Sequence, residues 1–244
     1  MNETLTLSTS DGDLGVHIER PDGDGPFPVI VSFHHGPGLD DGSRDAMRML
    51  AEAGFYVISH DRYHREAPWL VMTPEMRGDK AAMERFWGIL IGTTEDMVDR
   101  DLQAVLAHVD ADPAARGGAM GCIGYCIGAR SVVVMMARHN DRFAAGVGMH
   151  PSACTTDQPD SPHLLVPSIE GSLYVAFGSE DKMQSPEANV PFIDAVRSMS
   201  DGRGEADILE GANHGFAVPG ASYHEAAATT AYGKALALFG SALQ

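Results

Sequence analysis

The stretch Gly124-Tyr125-Cys126-Ile127-Gly128 combines a nucleophilic side chain with closely spaced glycines. It follows the apolar run 119–123 and precedes 129–138, which has the pattern of a helix. A strand, a sharp turn and a helix with this glycine spacing form the nucleophile elbow G-x-S-x-G, here with cysteine in place of serine. The helix N-terminus favours a thiolate at Cys126. The sequence therefore predicts a nucleophilic Cys126, and the alternative is a buried cysteine beside a glycine-rich turn.

Two further reactive residues follow predicted strands and could complete a catalytic triad. Asp181 comes after the predicted strand 172–177, and His214 comes after the predicted strand 205–209. Ligand sites of open α/β sheets lie beyond the carboxyl ends of the strands, so both side chains are expected near Cys126. The chain order nucleophile, acid, histidine is that of α/β-hydrolases. His214 would serve as the base, and Asp181 would orient its ring.

The oxyanion hole of such an enzyme consists of backbone N–H groups. The N–H of Ile127 follows the nucleophile directly, and Gly36 lies on the loop after the predicted strand 27–33. Glycine allows this backbone to approach a substrate closely, whereas Pro37 removes the next donor. We therefore expect Ile127 and Gly36 to bind the oxyanion.

The hydrophobic pattern around these residues predicts an α/β fold. Segments 3–8 and 14–20 alternate polar and apolar residues and indicate an antiparallel hairpin. Further strands and helices alternate along the chain, which predicts a mostly parallel sheet of about eight strands with helices on both faces. A long excursion at 66–93 contains a short predicted helix near 79–87. We expect residues 1–244 to form a single α/β-hydrolase domain.

Length, charge and cysteine content narrow the class of protein. A chain of 244 residues suits one domain of the larger kind. The net charge of −17 argues against nucleic acid or an anionic membrane as a partner. Three cysteines do not describe a disulfide framework and suit a reducing compartment. The first residues lack the pattern of a signal peptide, and no apolar run has membrane-spanning length, so we predict a cytoplasmic protein.

Four segments together resemble the dienelactone hydrolase (carboxymethylenebutenolidase) family of α/β-hydrolases. They are the cysteine elbow, Gly178 to Asp181, His214-Gly215-Phe216, and Asp61-Arg62-Tyr63. The resemblance covers most of the chain. It implies a Cys-His-Asp hydrolase of small activated esters or lactones, which forms a thioester acyl-enzyme and uses no metal or cofactor.

The resemblance also implies residues that meet the substrate. The family carries a glutamate near the cysteine, and His35 stands at that position. A histidine there would hold the thiolate as an ion pair, or it would line the pocket. Arg77 and Arg85 are the candidates for binding a substrate carboxylate. Independently of the resemblance, Tyr125, in the elbow, and His150, at the end of the predicted strand 143–149, are expected to border the substrate. The alternative for His150 is a structural hydrogen-bonding role.

Other functions are weaker alternatives. Four histidines after two neighbouring strands could bind zinc, copper or nickel: His34, His35, His60 and His64. No two of them lie four residues apart on a predicted helix, and adjacent histidines on a strand point to opposite faces, so no metal site is predicted. A redox pair of Cys122 and Cys126 would lack the C-x-x-C spacing. A catalytically altered scaffold that only binds a ligand is the remaining alternative.

Overall fold

Strands and helices alternate along residues 1–243, the part of the chain that the computed structural model describes. The strands are β1 (Asn2–Thr9), β2 (Gly12–Glu19), β3 (Val29–Phe33), β4 (Tyr56–His60), β5 (Met120–Tyr125), β6 (Phe143–Met149), β7 (Ser172–Gly178) and β8 (Gly204–Leu209). The α-helices are α1 (Asp41–Glu52), α2 (Pro74–Gly78), α3 (Lys80–Gly92), α4 (Glu95–Ala111), α5 (Ile127–Arg138), α6 (Val190–Arg197) and α7 (Glu225–Ala242).

The eight strands form one sheet in the order β1-β2-β4-β3-β5-β6-β7-β8. The first two strands make an antiparallel hairpin, and β2 pairs antiparallel with β4. Every later pair, from β4 to β8, is parallel. The predicted fold class is therefore confirmed: a mostly parallel α/β sheet with an N-terminal antiparallel hairpin.

Helices cover both faces of this sheet and enclose two hydrophobic cores. Helices α1 and α7 bury residues such as Leu50 and Phe239 on one face. Helices α4, α5 and α6 bury residues such as Val105 and Val132 on the other. Strand β3 is buried along its whole length, as expected for a parallel strand covered on both sides. This two-sided burial explains why the central strands appear as continuous apolar runs in the sequence.

The excursion between β4 and α4 is more helical than the sequence suggests. Helix α3 extends to Gly92, beyond the predicted end near residue 87, and the short helix α2 precedes it. Glycine lowers helix propensity, but burial of Phe86 and Ile89 stabilises the longer helix. The Asp79 side chain caps α3 by accepting a hydrogen bond from the Ala81 amide. None of the helices within residues 1–243 combines the length and apolar composition that a membrane span needs.

Candidate active site

The turn between β5 and α5 holds Cys126 in a strained backbone conformation. Its φ of 55° and ψ of −118° lie where side chains rarely occur. A Cβ on Gly124 would collide with the carbonyl of Gly128, and a Cβ on Gly128 would collide with the carbonyl of Phe33. Both glycines are therefore required for the turn. The Cys126 thiol lies at the N-terminus of α5, as the elbow pattern predicts.

The loops after β7 and β8 bring Asp181 and His214 together. The Nδ1 atom of His214 lies 2.7 Å from Oδ2 of Asp181. The other carboxylate oxygen accepts hydrogen bonds from the amides of Met183 and Gln184, which fix its position. Burial opposes ionisation of Asp181, but its hydrogen bonds outweigh burial and lower its pKa. Asp181 therefore remains a carboxylate that can orient the imidazole ring.

The electrostatics of Cys126 and His214 favour an ion pair. Burial alone would raise the Cys126 pKa, but His214, the Ser152 hydroxyl and the Gly36 N–H lower it to about 7. For His214, burial is outweighed by Asp181 and Cys126, which raise its pKa to about 9. Among residues 1–243, no group forms a hydrogen bond with Nε2 of His214, so this nitrogen remains available to the sulfur. At neutral pH this order of pKa values favours thiolate and imidazolium.

Ser152 is a neighbour of Cys126 that the sequence did not predict. Its Oγ lies 3.3 Å from the sulfur of Cys126, and its amide donates a 3.0 Å hydrogen bond to the Cys126 carbonyl. The loop after β6 carries it, and β6 is the sheet neighbour of β5. A serine within three residues of the end of β6 was the sequence feature that could have indicated this contact. The other two thiols, Cys122 and Cys154, are buried, and burial raises their pKa values.

The predicted oxyanion donors belong to the turn after β5 and to the loop after its sheet neighbour β3. Ile127 begins α5, where backbone N–H groups lack partners within the helix. The Gly36 N–H is one of the groups that lower the Cys126 pKa. Tyr63 donates a 2.7 Å hydrogen bond to the Gly36 carbonyl, and a Cβ on Gly36 would lie 3.0 Å from Leu90 of α3. Tyr63 and Leu90 thus support this loop, and the sequence predicted neither contact.

The structure pairs His35 with a carboxylate. Its Nε2 lies 3.0 Å from Oδ2 of Asp40, and Oδ1 of Asp40 caps α1 by accepting a hydrogen bond from the Ser43 amide. Burial would raise the Asp40 pKa, but His35 and Ser43 outweigh it and lower the pKa to about 2. The position of the family glutamate is therefore occupied by a histidine that is joined to an aspartate. A direct role of His35 toward substrate stays a prediction.

His150 packs against His214, and Tyr125 packs against His150. The His150 ring is fully buried, and its centroid lies 5.0 Å from that of His214. Burial, reinforced by the charges of His214 and His35, holds the His150 pKa well below its ordinary value, so the ring is neutral. The Tyr125 hydroxyl lies in the core, 2.9 Å from the hydroxyl of Tyr232. Both side chains support the site from within, and their contact with substrate stays a prediction.

The two predicted substrate arginines are exposed on the excursion. Arg77 lies in the last turn of α2, and Arg85 lies on α3. Arg85 borders a cavity of about 250 Å³ whose walls also include Arg62 and Tyr63 but neither Cys126 nor His214. Binding of a substrate carboxylate by either arginine stays a prediction.

Two of the histidines considered for a metal site, His34 and His64, have carboxylate or carbonyl oxygens as partners. His64 is fully buried, with Nε2 3.1 Å from Asp101 and Nδ1 3.1 Å from the Asp13 carbonyl. His34 bonds to the carbonyl of His35 through Nδ1. Within residues 1–243, no group of three or more histidine, cysteine, aspartate or glutamate residues is arranged to hold a metal ion.

Known proteins of one family resemble this chain in sequence and structure. The model of the dienelactone hydrolase family matches residues 14–243. A Synechocystis protein named "Putative carboxymethylenebutenolidase" is 26% identical over 246 residues, which cover 98% of this chain and 96% of that protein. The carboxymethylenebutenolidase of Pseudomonas putida is 24% identical over 169 residues, which cover 68% of this chain and 70% of that enzyme. A crystal structure of a "Putative Dienelactone Hydrolase" from Klebsiella pneumoniae matches with a TM-score of 0.82 at 20% identity, covering 98% of each chain.

Proposed function

Because its residues 14–243 match the family model, the chain belongs to the dienelactone hydrolase family, and we propose that it hydrolyses small activated esters or lactones with Cys126 as nucleophile. One observation carries this proposal. The pKa of Cys126 is lowered to about 7 while that of His214 is raised to about 9, so a large fraction of the sulfur is thiolate at neutral pH. A structural cysteine needs no such environment, whereas a nucleophile does.

The first half of the reaction forms a thioester. The Cys126 thiolate attacks the substrate carbonyl, and the N–H groups of Gly36 and Ile127 receive the oxyanion. The Gly36 N–H, which helps to lower the Cys126 pKa, would then bind the oxyanion instead of acting on the sulfur. When the tetrahedral intermediate collapses, the C–O bond breaks and the leaving oxygen takes a proton from the His214 imidazolium. The acyl group is then bound to Cys126.

The second half consumes water. Neutral His214, held by Asp181 at 2.7 Å, takes a proton from water while the water oxygen attacks the thioester carbonyl. Collapse of this intermediate breaks the C–S bond, restores the thiolate and leaves His214 protonated. The released acid then loses its proton to solvent, which regenerates the resting ion pair.

The nucleophile determines the class of substrate. A thiolate leaves a tetrahedral intermediate more readily than most alkoxides, so attack on an ordinary alkyl ester tends to reverse. Enol lactones and aryl esters release stabilised oxyanions, and their intermediates therefore proceed to the thioester. We expect His35 near the acyl group and either Arg77 or Arg85 near a substrate carboxylate. The net charge of −17 and the three free cysteines support a cytoplasmic enzyme without a nucleic-acid partner.

A hydrolysis panel tests this proposal. Purified protein is assayed with enol lactones, aryl esters, alkyl esters and thioesters, and the reaction is quenched for mass spectrometry of the peptide that contains Cys126. The expected result is turnover of enol lactones and aryl esters, with the acyl group on Cys126. Acylation of another residue, or turnover without any acylated cysteine, would contradict the proposed mechanism.

A further inference from the structure

Arg62 carries a buried charge without an internal partner. It follows β4 directly and is 4% exposed. Within residues 1–243 its guanidinium forms no ion pair, and its Nε has no hydrogen-bond partner. The ring of Tyr63 lies 6.0 Å from the guanidinium carbon. Its near neighbour Arg65, by contrast, pairs with both Asp11 and Asp101 at 2.7 Å.

The side chains around Arg62 do not neutralise this charge. His34 accepts the Arg62 backbone N–H on Nε2 at 3.3 Å, so its proton lies on Nδ1 and is donated to the His35 carbonyl. Burial holds the His34 pKa well below its ordinary value and lowers that of His60 to about 4. Both rings are therefore uncharged at neutral pH. An uncompensated buried charge is costly, which indicates that water or an anion accompanies Arg62.

Arg62 is one of the residues that line a cavity of about 250 Å³. Its walls come from the loop after β4, one side of α3, and the start of α4: Arg62, Tyr63, Arg65, Glu66, Arg85, Gly88, Ile89, Gly92, Thr93 and Met97. Two exposed groups of opposite charge, Glu66 and Arg85, border it, and Arg65 is already shared by two aspartates. The uncompensated charge of the cavity is therefore that of Arg62.

We propose that this cavity binds a small oxyanion, a carboxylate or phosphate group, through the guanidinium of Arg62. A guanidinium presents its donors in a planar fork that matches the oxygens of such a group. The bound ion is distinct from the reacting ester, since the cavity walls contain neither the nucleophile nor the catalytic histidine.

Tyr63 connects this cavity to the oxyanion loop. Tyr63 is one of the residues that line the cavity, and its hydroxyl donates to the carbonyl of Gly36. An anion beside Arg62 therefore acts on the catalytic rate through the position of Tyr63 and Gly36. The binding itself does not depend on the proposed hydrolysis, whereas this effect on the rate rests on it.

Isothermal titration calorimetry with inorganic phosphate and with malonate, at constant ionic strength set by chloride, tests the binding. We expect one saturable site per chain, equally in wild type and in Cys126→Ala. Arg62→Gln should weaken binding about tenfold or more, because it removes a charged hydrogen-bond donor, and Arg62→Lys should weaken it less. Arg142→Gln is the matched control, because Arg142 pairs with Asp110 outside the cavity. Absence of saturable binding, or equal affinity in wild type and Arg62→Gln, would overturn the proposal.

Steady-state kinetics separate a free anion from the carboxylate of a substrate. If the site is distinct, phosphate should change kcat for a neutral aryl ester without competing with it, and this effect should disappear in Arg62→Gln. Two results would place the substrate itself in the cavity and overturn the separate site. One is competition between phosphate and the ester, and the other is a KM increase in Arg62→Gln that is confined to esters carrying a carboxylate. Loss of all hydrolysis with phosphate binding intact would contradict only the proposed function.

Discussion

The Tyr63 hydroxyl donates a 2.7 Å hydrogen bond to the Gly36 carbonyl and thereby joins the loops after β3 and β4. Burial is the main reason that the Tyr63 pKa rises to about 12, so the hydroxyl keeps its proton and remains a donor. This bond fixes the peptide unit that follows the Gly36 Cα, and it thereby limits the backbone conformations of Gly36 and the direction of its N–H. An oxyanion donor stabilises charge best when it is fixed before the reaction.

Tyr63→Phe should therefore reduce catalysis more than it perturbs the fold. We expect kcat to fall about tenfold, less than the ~10²–10³ typical of losing an oxyanion donor itself. The free energy of unfolding should fall by about 1–3 kcal/mol, because a buried carbonyl loses its partner. Tyr56→Phe is the control, since that hydroxyl bonds to Asp112 at 2.8 Å far from Cys126 along the sheet. Equal kcat losses in the two variants, measured beside urea unfolding, would exclude a positioning role.

Cys126→Ala should abolish ester hydrolysis while the fold is retained, and Cys122→Ala should be much milder. The reason is that Cys126 is ionised near neutral pH, whereas burial keeps Cys122 protonated. Iodoacetamide should label Cys126 in preference to the other two thiols. The measurement is peptide mass spectrometry together with circular dichroism. Turnover that persists in homogeneous Cys126→Ala protein would disprove the nucleophile.

Alkylation of Cys126 should follow a pKa of about 7 rather than the ordinary value of 9.0. The pKa is lowered, so the thiolate is lost as pH falls below about 7, and the alkylation rate should fall with it. His214→Gln removes the largest cause of the lowering and should move the midpoint to higher pH. Asp181→Asn should reduce kcat by about 10²–10⁴-fold, since His214 loses its orienting carboxylate. An alkylation profile unchanged in His214→Gln would contradict the ion pair.

Ser152→Ala should raise the pKa of Cys126 and slow its alkylation at neutral pH. The hydroxyl lies 3.3 Å from the sulfur and stabilises the thiolate, so its loss favours the protonated thiol. Ser131→Ala provides the matched control, because Ser131 is fully buried on α5 and its hydroxyl has no partner within residues 1–243. Thiolate absorbance followed against pH is the measurement. A midpoint that shifts equally in both variants would indicate a general packing effect.

His35→Glu should destabilise the fold at neutral pH. The glutamate would place a second carboxylate beside Asp40, whose charge His35 now stabilises at 3.0 Å. We expect a loss of about 1–3 kcal/mol in the free energy of unfolding, and most of it should be recovered in the double variant with Asp40→Asn. If His35 instead acted mainly on Cys126, the thiolate midpoint would shift in His35→Gln as much as in Ser152→Ala. Urea unfolding and thiolate titration distinguish these outcomes.

Local patterns determined the fold class and the positions expected to do chemistry. The central strands are continuous apolar runs because both faces of the sheet are covered, whereas β1 alternates because only one of its faces is partly buried. The elbow could be recognised because its glycines are required by close contacts within and beside the turn. Asp181 and His214 could be proposed from their places after strands, since parallel strands bring their carboxyl ends to one edge.

Contacts between distant segments could not be derived in the same way. Ser152, Tyr63 and Leu90 have ordinary local patterns, and their relation to Cys126 depends on which strands are neighbours and on how α3 packs. The end of α3 was misjudged because burial of Phe86 and Ile89 outweighs the low helix propensity of glycine. Asp40 resembles any helix cap in the sequence, and its pairing with His35 depends on side-chain direction.

The sequence by itself determined the sheet, the elbow and the order of the reactive residues, because these follow from periodicity and from steric demands within a few residues. Only the tertiary structure decided the ionisation of Cys126 and the isolation of Arg62. A pKa depends on every charge, donor and buried surface within a few ångströms, and residues far apart in the chain supply them. For the same reason, two arginines three positions apart differ: Arg65 meets two aspartates, whereas Arg62 faces uncharged rings and a cavity.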